Sequence, residues 1–83
     1  MAEFTIADKT LDILEEITET NEVRRNPQLK LFDNGVLDSL GMVQLIVALS
    51  KAFGLEISPL EIERKDWETP HKIVQYMEGR AGK

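Results

Sequence analysis

Ile6, Thr10, Ile13, Leu14 and Ile17 recur at spacings of three and four, one stripe along a helix expected from about Thr5 to Glu19. Asp8, Asp12, Glu15, Glu16 and Glu19 fall on the other side and read as a solvated face. The helical period then lapses. From Thr20 to Leu37, Asn21, Asn26, Pro27, Asn34 and Gly35 punctuate a long first connection. Connections of this length inside a small domain are uncommon, and they are usually functional or partly structured. Val23, Leu29, Leu31 and Phe32 give it apolar anchors, so it is expected to lie packed along the other elements. Asp33-Asn34-Gly35 is a turn signal in which Gly35 or Asn34 supplies a positive φ.

A second helix is expected to start at Asp38 or Ser39 and to end near Phe53, with Gly54 just past its C-terminal end. Its apolar residues cover more than one face. Val43, Ile46, Val47 and Phe53 make one stripe, while Met42, Leu45, Leu49 and Ala52 make another. A helix apolar nearly all round is expected to be central and buried. That leaves Leu40 and Met42 unexplained, since they lie near the helix start, where solvent or a partner is expected. Further on, Ser58-Pro59-Leu60-Glu61 fits a capping box at the head of a short helix, with Glu61 reaching back to the cap. Thr69-Pro70 starts another helix by the same logic. Ile73, Val74 and Met77 form its buried face, and Gly79 is expected to end it. Trp67, between these two helices, reads as a plug for the core. Strand-like alternation is confined to Leu55 to Ile57, so the fold class is all-α: a small bundle of three main helices plus one short helix.

Composition narrows the picture without changing it. The 83 residues make a single domain (1–83) with one modest core. A hydrophobic content of 42% beside 30% charged residues is that of an ordinary globular chain. A net charge of −5 speaks against nucleic acid as a partner, because phosphate contacts need clustered Lys and Arg. Seven acids fall within the first 22 residues, which predicts one markedly negative face. Arg24, Arg25 and Lys30, flanking Pro27, read as a solvated basic loop. The chain has no Cys, so neither disulfides nor cysteine metal sites hold it together. No charged start is followed by a long apolar run, as a secretory signal would require. The apolar segment from Met42 to Leu49 is too short to span a bilayer.

The candidate chemistry gathers at Asp38-Ser39-Leu40-Gly41. A catalytic serine needs a general base within reach, normally His or Lys. Around Ser39 the sequence offers only Asp38 and Asp33, and His71, the sole histidine, falls in the first turn of an exposed helix. A helix start does suit a phosphate, through free N–H groups and the positive end of the helix dipole. Gly41 removes bulk one turn in and would let a foreign active site approach Ser39. Two readings stay open on the residues alone: Asp38 or Ser39 is an ordinary N-cap, or Ser39 is a point of covalent attachment.

The wider pattern, Asp-Ser-Leu at the head of an apolar helix after a long loop ending in Asp-x-Gly, resembles the acyl and peptidyl carrier protein superfamily. LFDNGVLDSLGMVQL followed by FGLEISPLEIERKDWETPHKIV is similar to the branch that carries D-alanine for teichoic acid D-alanylation, over roughly Val23 to Met77. The resemblance implies an acyl-carrier-like bundle and a carrier that is not itself an enzyme. It makes Ser39 the attachment site of 4′-phosphopantetheine, taken from coenzyme A. Asp38 would present the serine, and Asp38, Leu40, Gly41 and Met42 would form the docking surface for partners. Met42 departs from the small polar residue associated with that position. The implied partners are a phosphopantetheinyl transferase, an ATP-dependent, adenylating D-alanine ligase and a membrane O-acyltransferase. The chain would be a monomeric cytoplasmic protein acting at the inner face of the membrane. A fatty-acyl or peptidyl carrier is the alternative cargo reading. It expects acids along the helix after the serine, and Leu40 to Ala52 contains none. An unmodified helical interaction module is the alternative of a different class.

Overall fold

Three long helices carry the fold, and each starts where a side chain takes over backbone donors. The computed structural model describes residues 5–81. Helix α1 spans Ile6–Thr18; its cap is Thr5, whose hydroxyl accepts from Asp8 N–H at 3.0 Å. Asp8 returns the contact weakly to the Thr5 N–H. Helix α2, Glu22–Arg25, is a single turn within the first connection, too short to show as a period in the sequence. Helix α3 spans Ser39–Phe53 and ends at Gly54, whose φ of 64° is the left-handed conformation expected there. Helix α4 spans Pro70–Ala81, with Thr69 Oγ1 accepting from Lys72 N–H at 3.3 Å. No strand occurs among the described residues, and α1 lies against both α3 and α4.

The long connection is held at both ends of its path. Val23, Leu31 and Leu37 are buried in the same core as Leu14, Leu45 and Ile73. Leu31 N–H donates to Glu68 O at 2.9 Å, and His71 N–H donates to Pro27 O at 3.0 Å, tying the loop to the start of α4. Gly35 takes the positive φ of the expected turn, 70°.

Several expectations are corrected. Ser58 caps a short helix as expected, with Pro59 at its first position, but that helix is a 3₁₀ turn, Pro59–Glu61, without the reciprocal Glu61 contact, and a second 3₁₀ turn follows at Arg64–Trp67. The Ser58 hydroxyl accepts from Leu60 N–H, and Glu61 turns instead to Arg80 at 3.7 Å. Gly79 does not end α4, which continues to Ala81. There Arg80 bonds the Tyr76 hydroxyl at 2.8 Å and the Glu56 carbonyl at 2.9 Å, so the last turn has partners outside its own backbone. The acids of α1 are not all solvated. Arg24 folds back on them, with Nε 2.6 Å from Glu15 and the guanidinium also on Asp12 and Asp8. Arg24 is therefore drawn out of the expected solvated basic loop, whereas Arg25 and Lys30 stay exposed as that reading has them, Lys30 beside Glu68 at 3.6 Å. Lys72, by a hydrogen bond, and Lys30, by its charge, hold the Glu68 carboxyl below the usual range.

The last correction concerns α3, which is not buried all round. Met42, Leu45, Ile46 and Leu49 face the core, while Val43 and Val47 stay about half exposed. Trp67, inside the second 3₁₀ turn, is fully buried and stands edge-on to Tyr76, ring centroids 5.6 Å apart.

Candidate functional site

Leu37 is buried, and its burial fixes where the chain enters α3. Asp38 follows in extended conformation and accepts Gly41 N–H on Oδ1 at 2.7 Å. The N-cap is therefore Asp38. Ser39 is the first residue of the helix and is exposed; capping makes no demand on its hydroxyl.

What the hydroxyl does meet is Arg64, whose Nη2 donates to Ser39 Oγ at 2.8 Å. Arg64 heads the second 3₁₀ turn, and its guanidinium carbon lies 5.0 Å from the Phe32 ring centroid. A guanidinium cannot take a proton, so this neighbour is no general base. His71, at the start of α4, is exposed. Among the described residues no cluster of His, Asp and Glu is arranged to hold a metal. Autonomous nucleophilic catalysis has no support in this geometry.

The expected docking residues divide. Leu40 is 67% exposed, and Val43 and Val47 continue its stripe along α3 at helical spacing. Met42, expected beside Leu40, is only 9% exposed and belongs to the core, because position 42 faces inward with Leu45, Ile46 and Leu49. Gly41 also has a reason within the chain itself. A Cβ there would lie 3.0 Å from Leu37 Cδ1 and 3.2 Å from Asp38 Oδ1. The missing side chain makes room for this chain's own cap and core.

Sequence reasoning missed Arg64 and Phe32. Arg64 read only as a break in an apolar pattern, and it lies 25 residues from Ser39. The site as built offers an exposed hydroxyl, a helix start whose first N–H groups have no helical acceptor, and a cation on the oxygen. That donor set fits a phosphate ester.

Comparison with known proteins gives the same direction. The model of a family described as phosphopantetheine attachment site matches residues 8–77. The D-alanyl carrier protein of Lacticaseibacillus rhamnosus is 42% identical over 78 residues, 94% of this chain and 96% of that protein. That of Listeria monocytogenes is 42% identical over 71 residues, 86% of this chain and 91% of the relative. The Staphylococcus saprophyticus D-alanyl carrier protein is 38% identical over the same shares. On a family match that reaches into every long helix, and on relatives alike over nearly their whole length, the chain belongs to the phosphopantetheine-attachment family and, within it, to the D-alanyl carrier proteins.

Proposed function

We propose that Ser39 carries 4′-phosphopantetheine as a phosphodiester, and that the chain uses this arm to pass activated D-alanine between enzymes. The observation that carries the assignment is the division of labour at the helix start: Asp38 caps, leaving the exposed Ser39 hydroxyl free of the capping duty. In loading, Ser39 Oγ forms the new bond to phosphorus and the adenosine bisphosphate part of coenzyme A leaves. The serine proton goes to a base supplied by the transferase, since no residue here is placed to take it. Once bound, the arm supplies the thiol that holds D-alanine as a thioester. The chain is a carrier, acted on by a transferase, an adenylating D-alanine ligase and a membrane acyltransferase, and it catalyses none of their steps. No helix among the described residues is long and apolar enough to cross a membrane. Its place of action is accordingly proposed as the inner membrane face, reached through partners.

The exposed stripe of Leu40, Val43 and Val47 supports an apolar mode of docking, in place of the acidic helix face of fatty-acyl carriers. Intact mass after incubation with coenzyme A, magnesium and a promiscuous phosphopantetheinyl transferase tests the attachment. One arm gained is expected; folded protein that gains no mass would leave the unmodified interaction module as the better reading. Offering the holo form to a D-alanine ligase and to an acyl-carrier synthetase separates the cargoes, and thioester formation by the synthetase alone would overturn the D-alanyl assignment.

Leu40→Asp is expected to slow loading about tenfold, the equivalent of about 1.4 kcal/mol. Its stability should stay within about 0.5 kcal/mol of the parent, as for an exposed side chain. Initial loading rates and thermal melts check both halves.

A further inference from the structure

Arg64 stands apart from the cations beside it. Lys65 pairs with Glu63 and Lys72 with Glu68, whereas Arg64 has no carboxylate within salt-bridge distance among the described residues. It directs Nη2 to a neutral hydroxyl instead, at 2.8 Å. The guanidinium lies 5.0 Å from the Phe32 ring centroid, and a ring at that distance orients the fork and attracts its charge. Phe32 follows Leu31, which is fully buried and bonded through its N–H to Glu68 O, so the platform is itself fixed. An arginine fork offers five N–H donors suited to two oxygens of a phosphate, and Ser39 Oγ occupies only one of them.

We propose that Arg64, braced on Phe32, is a positioning residue that holds the phosphodiester of the arm at Ser39; this rests on the reading of Ser39 as the attachment point. In the ester, Oγ becomes a bridging oxygen and a poor acceptor, and the negative charge sits on the non-bridging oxygens one bond further out. A guanidinium already on Oγ needs only a small adjustment to meet them. The compensation matters because Asp38 adjoins the new charge and the chain as a whole stands at −5. Pinning the phosphate fixes the root of the arm and leaves its thiol end free to reach successive partners. A purely structural Arg64, tying the second 3₁₀ turn to α3, predicts no change in its surroundings beyond those of any bond to serine.

The test uses the full chain, labelled with ¹⁵N, before and after loading, with the arm verified by intact mass in every sample. Loading is expected to shift the Arg64 Nε–Hε resonance and to slow its solvent exchange about three- to tenfold. The ³¹P resonance of the holo protein should shift in Arg64→Gln and move only part of the way back in Arg64→Lys, which keeps the charge without the fork. The comparison of unloaded and loaded parent protein needs no variant, so it stands even where a substitution perturbs folding. An arm present by mass, with the Arg64 signal and its exchange unchanged, would overturn the clamp and leave the attachment intact. A parent protein that gains no arm removes the attachment reading, and the clamp falls with it.

Discussion

Ser39→Ala is expected to abolish uptake of the phosphopantetheine arm while shifting the melting temperature by only about 2–4 °C. The loading half is all-or-none, because the hydroxyl oxygen is the atom that must bond phosphorus. The stability half follows from the geometry. Ser39 does not cap α3, so alanine removes only an exposed hydrogen bond from Arg64. Such a bond contributes roughly 0.5 kcal/mol, and 1 kcal/mol is about 4–8 °C in a domain of this size. Asp38→Ala should show the converse. Losing the Oδ1 acceptor of Gly41 N–H is expected to destabilise by about 1 kcal/mol, with the serine still present for loading. Intact mass and thermal melts on the two variants separate the roles. If Ser39→Ala melts like a lost cap while Asp38→Ala does not, the hydroxyl serves the helix and the attachment loses its main support.

Trp67→Ala is expected to be the most damaging single change to the fold, destabilising by about 3–5 kcal/mol. A chain of this length has roughly 4–12 kcal/mol in total, so the variant should be partly unfolded at room temperature. The ring is fully buried and stands at 73° to Tyr76 in an edge-to-face pair, which ties the second 3₁₀ turn to α4. Trp67→Phe should lose less than half as much. It keeps an aromatic ring, and it deletes an indole N–H that has no acceptor in the core, which offsets part of the lost volume. Denaturant midpoints for the two variants check the order. A cost below about 1 kcal/mol for alanine would mean that the core closes without the ring.

The three long helices were legible because period and punctuation agreed: the Ile6–Ile17 stripe, Gly54 after Phe53, and Thr69-Pro70 before Ile73 all lie within a few residues of what they govern. The features that escaped are those settled by residues far away. Glu61 had the spacing of a capping box, yet Arg80, near the chain's end, draws its carboxylate away. Asp12 and Glu15 looked like a wet face because nothing nearby in sequence announces that Arg24 folds back onto them. Val43 and Met42 could not be sorted by hydrophobicity alone, since α3 is apolar on both sides and only packing decides which faces inward. Ser39 itself stood out from local pattern and family likeness. Its contact with Arg64 did not, because no local rule couples positions 25 apart.

The guanidinium of Arg24 also bears on the order in which the molecule comes together. Its contacts on α1 span 9 to 16 residues, whereas the Arg64–Ser39 contact spans 25 and the Lys9–Ala52 contact spans 43. The entropy lost in closing a loop rises with its length, and loops of about ten residues close in roughly 10–100 ns. Closure therefore favours the acidic corner of α1 and α2 first, the Ser39–Arg64 contact next and the Lys9–Ala52 contact last of the three. The serine and its arginine thus meet across a loop shorter than the one that seats α1 on the end of α3, so the loading site does not wait on that longer closure.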